Sequence, residues 1–383
     1  MTNPVLRYAL LCLLIVGVAS CFGGPPRGER ERALMDDLGV LSLPADNVTL
    51  VADVGNIRVN TVTLTSCHII VEDVKGRLFA LDRKTLMPAW HYYGLTRPMD
   101  FELCEASGSY LMVTDNMLFQ VAKATGAEMG VFHLAFTPSS APAGNDATAY
   151  IGSWASPSGN KTVYSVNLAD GRVGWGYRTD GHVTSRPIVH GAPRQLLYFA
   201  SHDMTVHAVE TAGAFEAAPP PSWVSQTFGC NSADLAIAAA ASEKDQDLLL
   251  VASEEGALYA YHSGTGTKMW EYVSGRPLKE TPTGTARAVY FRNEYGFHRL
   301  GRDGQLKWKL DRGPCEFVME RGGDVWLRDA GGRLSIVDDE TGEITATHGF
   351  GGWFLPANNT DGTFFAVSCD GFVFAFTERL QIK

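Results

Sequence analysis

The chain has 383 residues and a formal net charge of −10, with 19% charged and 45% hydrophobic residues. That balance excludes a disordered chain, and the acidity argues against a nucleic-acid surface, which needs a basic face. The 40 glycines lack a three-residue period, so they exclude a collagen-like rod and point to many tight turns.

The N-terminus reads as an address. Arg7 precedes an apolar run from Tyr8 to Val18, shorter than the ~20 residues a membrane-spanning helix needs, and so matches the core of a signal peptide. Val18-Ala19-Ser20-Cys21 sets small residues ahead of a cysteine, as in the bacterial lipobox. Residues 1–20 are therefore expected to be removed and Cys21 to be lipidated. Residues 21–46 follow as a tether: Phe22-Gly23-Gly24-Pro25-Pro26 is flexible, and 27–38 is charged and helix-permissive. The membrane is expected to be reached through the lipid alone. The absence of Asp after the cysteine favours, in a bacterium with two membranes, the inner face of the outer membrane, facing the periplasm.

From residue 47 onward one pattern recurs. Gly76-Arg77-Leu78-Phe79-Ala80-Leu81-Asp82-Arg83-Lys84-Thr85 is followed by Trp90. Leu118 to Gly126 is a weaker copy whose Trp position holds Gly130. Val163 to Gly171 is followed by Trp175 at the same offset. Val206 to Glu210 starts the pattern and then runs into an insertion containing Pro219-Pro220-Pro221. Gly256 to Gly266 leads to Trp270, and Asp303-Gly304 leads to Trp308. Leu334 to Gly342 ends with Ala346 at the Trp position, and Asp370 to Phe376 is an eighth copy cut short. The anchors Thr85, Thr125, Asp170, Gly213, Thr265, Asp303 and Thr341 recur at about 40 residues.

Each copy contains an apolar strand such as Leu78–Leu81, a turn of Asp, Thr and Gly, a strand carrying the Trp, and a further apolar run upstream such as Ile69–Val71. A shorter segment such as Ser185–Val189 comes before that. Four strands per repeat make a propeller blade. Asp234–Glu243 has helical propensity, but its place in the repeat and its small residues favour an inner strand. The expected fold is all-β, a single propeller at 47–383 with eight four-stranded blades, seven being the competing count. The last blade lacks an outer strand, and Asn47-Val48-Thr49-Leu50-Val51 can supply it, so both termini would share one sheet.

The pattern Ala-x-Asp-x-x-Thr-Gly-x-x-x-Trp resembles the tryptophan-docking repeat of the quinoprotein-like propellers. Residues 76–90 fit it except at Leu86, and 256–270 except at His262. No Trp-Asp dipeptide supports a WD40 reading. The resemblance implies that Trp90, Trp175, Trp270 and Trp308 pack between blades with the indole N–H bonded to a neighbour. Two functional classes share the repeat. Quinone-dependent dehydrogenases hold a pyrroloquinoline quinone and Ca²⁺ in a central funnel, commonly beside a vicinal Cys-Cys; here Cys67, Cys104, Cys230, Cys315 and Cys369 are isolated. The other class is the BamB lipoproteins, non-catalytic scaffolds of the outer-membrane β-barrel assembly machinery, which are similar in lipobox, tether, propeller and length. That resemblance implies an envelope protein partner and no cofactor. It makes Arg178, Asp180 and His182, in Tyr177–His182, the candidate partner-binding loop. The alternative reading is a quinoprotein-type dehydrogenase or a propeller that binds a small ligand or carbohydrate.

Catalytic and metal motifs are sparse. The chain has no Gly-x-Ser-x-Gly, His-Glu-x-x-His, Walker loop or Cys-x-x-Cys. His202 and His207 flank a turn and read as a loop and a strand histidine rather than a metal pair. Asp338-Asp339-Glu340 reads as a solvated acidic turn. The five cysteines after Cys21 are an odd number; Cys67 with Cys104, and Cys315 with Cys369, are candidate pairs between neighbouring blades, with buried free thiols the alternative.

Overall fold

The structure is a computed structural model describing residues 46–55, 57–155, 161–191, 194–211, 217–240, 242 and 245–378. Cys21, the signal sequence and all of the tether but its last residue lie outside the described residues. Those described form strands, turns and loops, and none forms a helix long and apolar enough to cross a membrane.

Eight antiparallel sheets follow one another along the chain as the blades of a propeller. Blade 1 contains, from inner to outer strand, Val59–Leu64, His68–Asp73, Leu78–Asp82 and Pro88–Tyr92. Blades 2 to 7 occupy 104–133, 137–179, 188–226, 236–273, 283–310 and 315–349 in the same order. In blade 3 the innermost position is split between Thr137–Pro138 and Ala143–Gly144, both paired with Thr148–Ala155. Blade 8 joins Trp353–Phe354, Phe364–Ser368 and Phe372–Glu378 to the N-terminal strand Asp46–Asp53, which pairs with Phe372–Glu378 and closes the ring. The disputed alanine-rich segment contributes the inner strand Ala236–Ala238.

The sequence dictates this local geometry at two points in each copy. Where the third strand meets the fourth, blades 1 to 7 all shift register, as between Ala80 and Leu81 or Ala260 and Tyr261. Two residues there oppose one, which steepens the twist a blade needs. The turn between them needs a residue with positive φ. Asp82 caps it, its Oδ1 accepting the Thr85 N–H and Oγ1–H at 2.8 Å each; Asp338 does the same for Thr341. The residue after Thr85 is Leu86, at φ 55, where Gly126, Gly266 and Gly342 stand in other blades at φ 69, 70 and 75. The reason lies at the ring-closing junction. Leu86 is 3% exposed and shares a cluster with Phe365, Val367, Val373 and Ala375 of blade 8. Its side chain fills space between blades 8 and 1, offsetting the backbone strain.

The core lies between sheets, with second and third strands almost wholly buried. His298 sits there at 5% exposure, stacked on Phe291 at 4.6 Å, and its Nδ1 has no hydrogen-bond partner among the described residues. Burial, helped by Lys309, pushes its pKa down from 6.5 to about 4. Between those values the unfolded chain binds a proton that the folded chain does not. Stability from this site is therefore complete above pH 6.5 and falls as the pH drops to 4, by about 3 kcal/mol. His298→Phe keeps a stacked ring and removes the titration. Urea unfolding of the wild type is expected to lose about 3 kcal/mol more than this variant across that window.

Candidate interaction face

The tryptophans follow one geometry. Trp90 donates its indole N–H to the Lys123 carbonyl at 2.8 Å, Trp270 to Arg302 at 2.7 Å and Trp308 to Asp339 at 2.8 Å, each in the next blade. Each ring lies against the turn glycine of that blade: a Cβ on Gly126, Gly304 or Gly342 would come within 2.7 Å of the respective indole. Trp175 is buried and stacks on Tyr150 at 5.6 Å; the Gly213 turn of the next blade lies outside the described residues. Trp223, which the insertion hides from the repeat, donates to Ser263 O at 2.9 Å and packs on Gly266. In blade 2 the Trp position is Gly130, and Phe132, two residues on, packs on Gly171 instead. These contacts hold blades together and leave the indoles little surface to offer a ligand.

Loops divide between the two faces of the disc. One face carries the turns between first and second and between third and fourth strands, as Arg83 N–H to Cys67 O shows. The other carries the second-to-third hairpins and the connections between blades. On it lies the segment singled out from sequence. Arg178 is exposed on the outer strand Val173–Thr179, so only Asp180 onward is loop. Asp180 is exposed, and its N–H and that of Gly181 are held by Asp203 Oδ2 at 2.9 and 3.1 Å. His182 packs against Trp154 at 5.0 Å, and its carbonyl accepts the His202 N–H at 2.9 Å. Beside this loop stand three exposed apolar side chains, Trp154 (48%), Met204 (43%) and Phe228 (76%), from blade 3, blade 4 and the connection to blade 5. Thr227 N–H donates to Met204 O at 2.8 Å, tying the backbone before Phe228 to the Met204 turn. No sequence motif marks this patch, because its members come from three separate hairpins and connections that only the ring brings together.

Near the axis, Arg186 reaches from the start of blade 4 to the approach to blade 2. It donates to Glu102 Oε2 at 3.2 Å and Leu103 O at 3.1 Å, while its own N–H donates to Asp234 Oδ1 at 2.6 Å. Arg186, Glu102 and Asp234 line a cavity of about 410 Å³ with Cys104, Glu105, Gly144 and Thr281. Burial pushes the Asp234 carboxyl above its usual value, against the pull of Arg186. A pyrroloquinoline quinone with its Ca²⁺ does not fit this set. Of the cavity's three carboxylates, Glu102 and Asp234 are engaged by Arg186 and Glu105 by Lys123, and among the described residues no three His, Cys, Asp or Glu are grouped to hold a metal.

Other candidates resolve individually. His202 meets Thr184 Oγ1 at 2.9 Å, and His207 meets Thr205 Oγ1 at 2.7 Å. Asp338 caps its turn, but Asp339 is buried, correcting its reading as a solvated charge: Arg299 grips both its oxygens at 2.7 Å, and Tyr290 donates to it at 2.8 Å. Cys67, Cys104, Cys230, Cys315 and Cys369 are free thiols, so neither candidate disulfide forms. The Cys67 Sγ instead lies 3.3 Å from His68 Nδ1 and 3.6 Å from the Tyr110 hydroxyl.

The repeat and the closed ring define an eight-bladed β-propeller. The sequence profile of the family described as "Outer membrane protein assembly factor BamB" matches residues 232–349. BamB from Moraxella catarrhalis is similar in structure at TM-score 0.65 and 17% identity, covering 88% of this chain and 100% of that one. The quinohemoprotein alcohol dehydrogenase from Comamonas testosteroni gives TM-score 0.62 and 11% identity, covering 88% of this chain and 77% of that one. The computationally designed Ika8 protein gives 0.61 and 12%, with 85% and 98% covered. At these identities the likeness is one of fold. No curated protein matches the sequence.

Proposed function

We propose that this chain is a lipid-anchored, non-catalytic scaffold of the bacterial envelope that docks a protein of the outer-membrane β-barrel assembly machinery. The observation that carries the reading is the set of exposed apolar side chains Trp154, Met204 and Phe228 on the same face of the ring as Arg178, Asp180 and His182. The match of residues 232–349 to the BamB family supports the choice of partner. Lipid on Cys21 holds the ring to the inner face of the outer membrane, and the propeller is assigned to 47–383. Trp90, Trp175, Trp270 and Trp308 keep the blades in register, so the face is presented without rearrangement.

The test is photo-crosslinking in mild detergent from positions 178, 182 and 228 of the full chain. Crosslinks to a barrel-assembly component are expected from all three, and Phe228→Ser should weaken them about tenfold with little change in stability. Crosslinks confined to unrelated proteins would sink the reading. The fold shared with a quinohemoprotein dehydrogenase keeps one rival: dye reduction with alcohols or sugars after adding the quinone and Ca²⁺ would favour an enzyme.

A further inference from the structure

The turn His202–Met204 of blade 4 stands between two connections, 180–187 before the blade and 227–235 after it. Its Asp203 carboxylate faces both ways. Oδ1 accepts the Thr205 N–H at 3.1 Å and the Thr205 hydroxyl, fixing its own hairpin. Oδ2 accepts two consecutive backbone amides of the preceding connection, Asp180 at 2.9 Å and Gly181 at 3.1 Å. The approach is close enough that a Cβ on Gly181 would lie 2.1 Å from the Asp203 nitrogen. On the other side the Met204 carbonyl accepts the Thr227 N–H at 2.8 Å and its hydroxyl at 3.2 Å. The Thr227 hydroxyl also lies 3.1 Å from Asn231 Oδ1, an alternative acceptor for its proton, and Asn231 Nδ2 donates to Ser201 O at 3.3 Å. Met204 makes this bridge at φ 67, a conformation that disfavours a side chain, yet it presents that side chain to solvent. Irregular connections carry backbone N–H groups that no sheet satisfies, and here one carboxylate and one carbonyl of a single turn satisfy three of them.

We infer that the His202–Met204 turn is the keystone of the docking face, with Asp203 the positioning residue that sets the Asp180–His182 loop and couples it to Thr227–Phe228. The inference rests on the reading of this face as the docking surface. Burial alone would raise the Asp203 carboxyl, but Thr205 and the amides of Gly181 and Asp180 outweigh it and hold it below the ordinary carboxylate range. The acceptor is therefore ionised at neutral pH, which strengthens each bond to it.

The experiment is amide hydrogen exchange by mass spectrometry on the full chain, reading peptides that cover 178–184 and 225–231. Asp203→Ala should speed exchange at Asp180 and Gly181 about 10- to 100-fold. The Thr227 amide should loosen in the same variant, because the turn that holds it has lost its other anchor. Asp203→Asn, the safer substitution for folding, keeps one acceptor oxygen and should fall between the two. Unchanged protection at 180 and 181, or loosening there with Thr227 unmoved, would overturn the keystone. Crosslinking from position 228, which Asp203 does not touch, separates the two readings. Faster exchange with a weaker crosslink supports both. Faster exchange with the crosslink intact shows that docking does not need the Asp203 hold and overturns the keystone, whereas a wild-type chain that gives no crosslink from 228 to a barrel-assembly component defeats the docking surface whatever the exchange shows.

Discussion

Replacing Arg299 by methionine is expected to cost about 3–5 kcal/mol of folding free energy. Arg299 comes from the third strand of blade 6, and its Nε and Nη2 each bond an Asp339 oxygen at 2.7 Å in the turn of blade 7. Both side chains are nearly buried, 12% and 7% exposed. The methionine variant leaves the Asp339 carboxylate in the interblade core with only the Tyr290 hydroxyl, 2.8 Å away, as a side-chain partner. An unpaired buried charge is the expensive outcome, more so than loss of the pair itself. The double variant Arg299→Met, Asp339→Leu should therefore recover at least half of the loss, since no charge remains to strand. Equilibrium unfolding in urea measures both. A single variant within about 1 kcal/mol of wild type would mean that water reaches the pair freely.

Trp223→Ala is expected to cost a similar amount, about 3–5 kcal/mol. The ring is buried between blades 4 and 5, tilted on Tyr198 at 5.9 Å and stacked with Tyr261 at 6.4 Å, and its N–H satisfies Ser263 O. Alanine removes the packing, opens a cavity and leaves that carbonyl one donor short, although the Tyr198 hydroxyl also reaches it at 3.1 Å. Phenylalanine keeps most of the contact and loses the hydrogen bond, so Trp223→Phe should cost only about 1–2 kcal/mol. Equal losses for the two variants would show that the hydrogen bond, rather than the packing, dominates the junction.

Trp223 also shows where a repeat stops being legible. Trp90, Trp270 and Trp308 stand out because the turn before each is short, so the offset from Asp or Thr to Trp is constant. In blade 4 the connection from Glu210 to Pro221 stretches that offset, and the same docking geometry is concealed by length alone. Phe132 is concealed differently: the aromatic moved two residues along its strand, the period that keeps it on the same side of the sheet. The closing strand was readable because the eighth copy lacked an outer strand and Asn47–Val51 was the apolar segment left over. The burial of Asp339 was not, since it depends on Arg299 across a blade boundary. The patch of Trp154, Met204 and Phe228 was unreadable for the same reason. Spacing records what one hairpin does, whereas a face is assembled from several.

Closure by Asp46–Asp53 on Phe372–Glu378 has a consequence for how the molecule is made. The first described strand, Asp46–Asp53, has no sheet partner until Phe372–Glu378 has been made. Blades 1 to 7 can pair internally as they emerge, but until closure the growing arc has two open ends. The closing contact spans almost the whole sequence, so its loop entropy falls due in one late step.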